Sequence, residues 1–162
     1  MPPVRSLVLA CFVALAVVLV PAAGGSGTSG LVISQIFGGG GNAGSPYTND
    51  YVELFNRGAS AVNVSGWTVQ YATAAGTSWQ VTALTGTIEP GAHQLVQLAG
   101  GTVGAPLPAP DATGTANLSA ASGKVALVRD TATLACGASA GSCSALSQVE
   151  DLVSPGAAAE PS

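Results

Sequence analysis

Charged side chains are scarce in this sequence. Only 7% of its 162 residues are charged, and four Lys and Arg side chains stand against eight Asp and Glu. The basic residues form no stripe, so the chain lacks the electrostatic attraction that dominates nucleic-acid affinity. Disordered chains usually have low hydrophobicity, whereas 48% hydrophobic residues indicates a folded domain. Direct binding to nucleic acid is not expected.

Histidine is almost absent, which limits both catalysis and metal binding. His93 is the only one, and it follows a Pro-Gly turn, where a solvated histidine is common. Residues 137–141 match the G-x-S-x-G pattern of hydrolases, but that motif needs a strand–turn–helix context and a later histidine. Residues 39–44 match G-x-G-x-x-G, yet a strand follows instead of the phosphate-binding helix. We expect neither enzymatic activity nor a cofactor.

A long apolar run occurs once, near the N-terminus. Arg5 precedes an uncharged stretch at residues 7–20, and Pro-Ala-Ala follows at residues 21–23. The stretch is short for a membrane span and predicts a signal peptide over residues 1–23. An uncleaved anchor is the alternative. We expect a secreted protein with no membrane span after cleavage, and a Gly/Ser linker over residues 24–30.

Cysteine is also rare, with three in the chain. Cys11 leaves with the signal peptide, so Cys136 and Cys143 remain as a pair in an oxidising compartment. A disulfide closing this small loop is predicted, with a modest effect on stability because short loops restrict the unfolded chain least. Zinc binding is the alternative, but no histidine or third cysteine lies nearby to complete four ligands.

Alternating and β-branched runs, separated by Gly- and Pro-rich turns, dominate the rest of the chain. Amphipathic helical periodicity is not evident. Seven to nine short strands at regular spacing predict an all-β, Ig-like β-sandwich over residues 31–153, followed by a flexible tail over residues 154–162. The predicted strands include residues 31–37, 49–56, 67–71, 78–82, 93–98, 124–129 and 148–153.

Three segments carry more specific expectations. Residues 31–37 are apolar on both faces, which predicts a strand inside the sandwich. The Pro90-Gly91 dipeptide favours a type II turn. The proline-punctuated residues 100–114 are predicted to be a loop outside any central ladder.

The strand at residues 49–56 holds the one cluster that suits a ligand hypothesis. Asn49, Asp50 and Glu53 offer side-chain oxygens of the kind that Ca²⁺ prefers. The alternative is structural: Asn49 and Asp50 stabilise the adjoining loop, and Glu53 makes a hydrogen bond or an ion pair with Arg57. Calcium is the only cofactor that the sequence brings into question.

Large aromatic side chains are few, and Trp67 is predicted to fill the core, because a sandwich needs a large apolar residue between its sheets. Trp67, Tyr71 and Trp79 together are an alternative carbohydrate platform. Trp79 is not assigned to the core from the sequence, because the polar residues Ser78 and Gln80 flank it.

Four segments in a fixed order carry a resemblance to a known family. They are residues 31–37, Asn-Asp-Tyr-Val-Glu-Leu-Phe-Asn at residues 49–56, Val-Ser-Gly-Trp at residues 64–67 and Ile-Glu-Pro-Gly at residues 88–91. Together they resemble the lamin tail domain, and its secreted bacterial members share the Gly-rich loop at residues 38–41 and the cysteine loop. The resemblance covers about residues 31–153. It implies an Ig-like sandwich that acts as a non-catalytic interaction module.

The end of the chain departs from this pattern, because family members usually continue beyond residues 151–153 to a closing strand. We therefore expect a truncated relative or, as the alternative, a domain that completes its sheet with another chain.

The function expected from these features is that of a secreted, non-catalytic interaction or structural module, or a remnant of a larger exported protein. Two alternatives stay open: the N-terminal part of a secreted nuclease- or phosphatase-type hydrolase, and a carbohydrate-binding module. The expected partner is a protein or a cell-surface polysaccharide.

Overall fold

Ten β-strands make up the regular structure of residues 29–156, the part of the chain that the computed structural model describes. The predicted signal peptide, most of the predicted linker and residues 157–162 of the predicted tail lie outside the described residues. The strands are β1 (Leu31–Phe37), β2 (Asn49–Asn56), β3 (Val62–Asn63), β4 (Thr68–Ala72), β5 (Gln80–Ala83), β6 (Thr87–Ile88), β7 (His93–Gly100), β8 (Ala112–Thr113), β9 (Lys124–Val128) and β10 (Val149–Val153).

Two four-stranded sheets face each other. The first sheet has the order β1-β2-β7-β8 and the second has the order β10-β9-β4-β5, while β3 and β6 form a separate two-stranded ladder. All pairs are antiparallel except β7 with β8. The prediction of an all-β, Ig-like sandwich is confirmed. The core between the sheets includes Leu31, Val52, Leu54, Val69, Tyr71, Val96, Val125 and Leu127, with the partly buried Trp67 packed against it.

The first strand differs from its expected position inside the sandwich. β1 is an edge strand, and its pairing with β2 shifts between Ile33 and Gln35. The extra residue, Ser34, forms a β-bulge, which changes which side chains face inward. Ile33 and Ile36 therefore both face the core, although they are three residues apart, and Phe37 faces outward. Apolar residues occur at both odd and even positions of β1 because of this bulge, and not because both faces of the strand are buried.

The strands buried on both faces are β4 and β9. Their inner side chains join the core, and their outer side chains are covered by residues 129–148, which we call the cysteine segment. Gln70 binds this segment: its Nε2 donates to the Ala132 carbonyl, and its Oε1 accepts the Leu134 amide. The predicted disulfide between Cys136 and Cys143 closes within the segment, with its Cα atoms 5.2 Å apart. A second apolar cluster results, outside the sandwich proper.

Lys124 lies in this second cluster with no exposed surface. Its Nζ donates to the carbonyl oxygens of Gly76 at 2.6 Å and Gly137 at 2.9 Å, and it lies 5.8 Å from the centre of the Trp79 ring. The Trp79 Nε1 in turn donates to the Cys136 carbonyl at 3.0 Å. Lysine and tryptophan therefore hold the backbone of the cysteine segment against the second sheet.

Carboxylates join the two sheets at the margin where β1 lies beside β10. Glu150 accepts hydrogen bonds from both the amide and the hydroxyl of Ser29 and is paired with Arg129 at 3.3 Å, while Asp151 accepts the Ile33 amide at 2.7 Å. Ser29 is thus held by the fold, although composition assigns it to the linker.

The turns follow the sequence in one case and depart from it in another. The Ala92 amide donates to the Glu89 carbonyl and Gly91 has φ 74°, the arrangement of the predicted type II turn. The Pro-rich residues 100–114, by contrast, are not all loop: they contribute the two-residue strand β8 after Asp111, although β8 lies at the sheet edge and outside any central ladder, as expected. Between residues 29 and 156 there is no helix with the length and hydropathy needed to cross a membrane.

Candidate functional site

The outer face of the first sheet is the site that the fold leaves open. In β2, burial alternates strictly, so Tyr51, Glu53 and Phe55 point away from the core, as their spacing predicts. The register pairs these with outward side chains on both neighbouring strands. We call this surface the open face; its side chains are Val32, Gln35 and Phe37 from β1, Tyr51, Glu53 and Phe55 from β2, and His93, Leu95 and Gln97 from β7.

Three aromatic rings pack together at one end of the open face. Phe37 and Tyr51 lie opposite each other on β1 and β2, with ring centroids 5.5 Å apart and planes 18° apart. Tyr47 comes from the preceding loop and meets both rings edge-on, at 5.6 Å and 5.9 Å. Both arrangements are favourable geometries for aromatic pairs. Tyr47 nevertheless stays 36% exposed.

A carboxylate lies at the centre of the same face. Glu53 Oε1 accepts a hydrogen bond from the Ser34 hydroxyl at 2.6 Å and lies 3.1 Å from His93 Nδ1. His93 also stacks on Phe55, with ring centroids 4.6 Å apart. The partners of Glu53 are therefore His93 and the bulge residue Ser34. The expected partner, Arg57, makes no ion pair with it among the described residues.

The hydroxyl of Tyr51 is tied to the neighbouring strand, where it donates to Gln35 Oε1 at 3.1 Å. Partial burial raises the pKa of this hydroxyl, and the nearby Tyr47 and Glu53 raise it further because each would repel a tyrosinate. The hydroxyl therefore stays protonated and serves as a hydrogen-bonding group rather than a base.

A groove of about 190 Å³ opens between the aromatic rings and a neighbouring loop. This volume is below the roughly 300 Å³ at which drug-sized ligand pockets begin, so the groove suits one side chain or one ring. Its floor is the sheet and its walls are Tyr47 on one side and a Leu-Pro pair on the other. The lining residues are Gln35, Tyr47, Tyr51, Glu53, Leu95, Leu107 and Pro108.

The walls come from two loops, residues 38–48 and 101–111, that are joined by backbone hydrogen bonds. Thr48 donates to the Ala105 carbonyl, Gly101 donates to the Thr48 carbonyl, and Ala105 donates to the Pro46 carbonyl. A Cβ atom on Gly41 would lie 2.2 Å from Gly101, so only glycine allows this approach. The G-x-G-x-x-G stretch therefore belongs to the loop that carries Tyr47, and it leads into β2 without a helix.

Asp50 anchors the first of these loops, together with a separate segment at Leu118, from inside the fold. It is 1% exposed, and its two carboxylate oxygens accept the amides of Gly40 at 2.6 Å and Leu118 at 2.7 Å. Because burial shields charge-assisted bonds from water, this carboxylate ties both segments firmly to β2.

The calcium hypothesis gains no support from this geometry. Asp50 points into the core and Glu53 points to the open face, because they lie three residues apart on one strand. Asn49 uses its amide to donate to the Leu98 carbonyl at 3.0 Å. The three side chains do not converge, and within residues 29–156 no three His, Cys, Asp or Glu side chains are grouped to hold a metal ion. The structural alternative explains Asn49 and Asp50.

The predicted aromatic platform is also absent from the surface. Tyr71 is buried and its hydroxyl accepts the Ser119 amide, while Trp79 is buried under the cysteine segment. Trp67 is partly buried against the core, as its predicted role requires, but Trp79 is the more deeply buried of the two. The aromatic side chains that cluster at the surface of residues 29–156 are instead Phe37, Tyr47 and Tyr51, and this clustering depends on a bulge and a loop that sequence spacing does not reveal.

The G-x-S-x-G stretch lies apart from the histidine. Ser139 is exposed in the cysteine segment, which covers the outside of the second sheet, and His93 lies on the outside of the first. The nucleophile and base of a hydrolase are not brought together.

Comparison with known proteins agrees with the architecture. No curated protein matches the sequence significantly. The family model described as Lamin Tail Domain matches residues 25–146, about three quarters of the chain. The chain therefore belongs to the lamin tail domain family.

Proposed function

We propose that this protein is a non-catalytic binding module and that the open face carries its ligand site. The observation that supports this most directly is the unequal covering of the two sheets. The central strands of the second sheet, β4 and β9, are buried on both sides, whereas the first sheet exposes aromatic side chains and a groove. Exposed apolar patches with a polar rim are typical of interaction sites.

The site is also rigid enough to bind at low entropic cost. Its floor is a hydrogen-bonded sheet, its walls are two loops joined to each other, and the buried Asp50 fixes one of them. Ordering loops on binding reduces affinity, so an ordered groove favours recognition.

We further propose that the module works outside the cell. The disulfide supports this, because such bonds persist in oxidising compartments. Expression of the whole chain with a C-terminal tag, followed by N-terminal sequencing of secreted material, tests the proposal. Export with a new N-terminus at Gly24 is expected; retention of an intact Met1 in the cell fraction would contradict it.

A panel of immobilised probes tests the binding role. Arginine-rich, lysine-rich and acidic peptides, together with neutral polysaccharides, are compared for retention of the wild type, Tyr47→Ser and Val81→Ser. Tyr47 lies on the groove wall, whereas Val81 is an equally exposed apolar residue on the second sheet. We expect at least one probe to retain the wild type and Val81→Ser but not Tyr47→Ser. If neither substitution reduces retention, the binding site lies outside the groove.

The hydrolase alternative is tested separately, with the purified protein assayed on DNA and on phosphate esters. Turnover that co-purifies with the wild type and is lost in Ser139→Ala or His93→Ala would overturn the non-catalytic assignment.

A further inference from the structure

The polar atoms of the groove are mostly hydrogen-bond acceptors. Glu53 is acceptor-only when ionised, and its Oε2 has no hydrogen-bond partner among residues 29–156. The Tyr51 hydroxyl already donates its hydrogen bond to Gln35 Oε1, so it can offer a further ligand only its lone pairs, as an acceptor. Such a site suits a group that only donates, and among protein side chains those groups are guanidinium and ammonium.

The permanently charged side chains around the groove are acidic. β1, β2, β7, β8 and the two wall loops contain no lysine or arginine. Glu53 lies in the groove, and Asp111 lies beside it, where its carboxylate accepts the Leu95 amide at 2.7 Å. Of the three described cationic side chains, Lys124 lies beneath Trp79, Arg129 lies beside Glu150, and Arg57 follows the end of β2 without lining the groove. A cationic ligand would therefore meet attraction without a competing lysine or arginine.

The aromatic rings beside the groove favour a guanidinium over a quaternary ammonium group. The ring centroids of Phe37, Tyr47 and Tyr51 are 5.5–5.9 Å apart, so the rings fill the space between one another. No enclosed cage for a bulky quaternary ammonium group exists there, and a ligand reaches only the groove side of Tyr47 and Tyr51. A flat guanidinium stacks on such a ring, is less strongly hydrated than an ammonium, and carries several donors in one plane.

We propose that the groove binds a single arginine side chain presented by a basic peptide segment of a partner protein. The guanidinium lies between the tyrosine wall and the Leu107-Pro108 wall and donates to the Glu53 carboxylate. This assignment rests on the proposed function, because it names the ligand of the same face.

Titration followed by amide NMR tests the proposal with three uncharged-end pentapeptides that differ at one position. The central residue is arginine, lysine or citrulline, the last having nearly the shape of arginine without its charge. We expect the arginine peptide to shift the amides of Gln35, Tyr51 and Leu95, the lysine peptide to bind more weakly, and the citrulline peptide to bind at least about tenfold more weakly.

Two substitutions separate the groove from the rest of the surface. Glu53→Gln keeps an oxygen for the Ser34 hydroxyl and removes the charge, and it should weaken arginine binding about tenfold. Val81→Ser should leave the affinity unchanged. An unchanged amide spectrum outside the groove shows that Glu53→Gln is folded; if it is not, Tyr47→Ser serves as the second variant with the same expected loss.

The outcomes distinguish this inference from the proposed function. Equal binding of arginine and citrulline peptides, or binding unaffected by Glu53→Gln and Tyr47→Ser, overturns the arginine assignment. A neutral polysaccharide that shifts the same groove amides, with no response to the arginine peptide, also overturns it while leaving the binding module intact. Failure of the whole probe panel to depend on Tyr47 overturns both.

Discussion

Replacing Asp50 with asparagine tests whether one buried carboxylate fixes two distant segments, one of which is a loop of the groove wall. Its Oδ1 accepts the Gly40 amide and its Oδ2 accepts the Leu118 amide, from segments that lie 10 and 68 residues away. Asparagine has the same shape, but its NH₂ group must face one of those two N–H donors. One charge-assisted bond is lost, the other becomes neutral, and a buried donor is left facing a donor.

The size of the effect follows from these losses. A hydrogen bond to a charged group contributes about 1.5–3 kcal/mol, and an unsatisfied buried donor costs about 1–3 kcal/mol. Relief from burying a charge offsets part of this sum. We expect the free energy of unfolding of Asp50→Asn to fall by about 3 kcal/mol. For a domain of this size, that lowers Tm by roughly 10 °C.

Urea unfolding followed by tryptophan fluorescence measures the change, because Trp79 is buried in the folded protein. Glu89→Gln is the matched control: it makes the same carboxylate-to-amide change in an exposed turn and should alter stability by less than about 0.5 kcal/mol. A loss below about 1 kcal/mol in Asp50→Asn would refute the argument that this carboxylate anchors two distant segments.

Three further predictions concern the second cluster and the open face. Lys124→Met removes two charge-assisted bonds but also the burial of an ammonium, so we expect a net loss of about 2 kcal/mol in urea unfolding; no loss would show that the lysine is not needed to hold the cysteine segment. Replacing Cys136 and Cys143 together by alanine should cost about 2 kcal/mol, the value for so short a loop, and a far larger loss would mean that the disulfide does more than restrict the unfolded chain. Because burial raises the pKa of Tyr51, the tyrosinate absorbance that Tyr51→Phe removes should appear above pH about 10, and the associated stability should be full below that pH and fall as the pH rises further; ionisation below pH 10 would contradict the described environment.

Local sequence patterns predicted the strands where one face is apolar and the other polar. The alternation at residues 49–56 gave β2 with its inward and outward side chains, and Pro90-Gly91 gave its turn. These features depend on neighbouring residues only, which a sequence displays directly. The predicted position of residues 31–37 inside the sandwich was wrong because a bulge at Ser34 changes the alternation of the side chains. The bulge depends on the pairing with β2, which sequence spacing does not identify.

The candidate site was harder to predict because it depends on distant contacts. Asp50 looked like a metal ligand, but its partners are backbone amides that carry no side-chain signature. The sequence allowed Tyr71 and Trp79 as ligand-binding residues, but both are buried in the fold. Tyr71 lies in the core and Trp79 lies beneath the cysteine segment. Tyr47 reaches the groove from a loop whose course is set by hydrogen bonds to residues more than 50 positions away.

The carboxylates beside β1 also protect the protein from self-association. An edge strand rich in β-branched residues, such as Leu-Val-Ile-Ser-Gln-Ile-Phe, is the kind of segment that seeds intermolecular sheets and amyloid. Asp151 accepts the hydrogen bond of the Ile33 amide, and Glu150 accepts that of the Ser29 amide. These two donors are therefore unavailable to another chain. In a protein with so few charges to keep molecules apart, two acids at the most vulnerable strand contribute to solubility as well as to the fold.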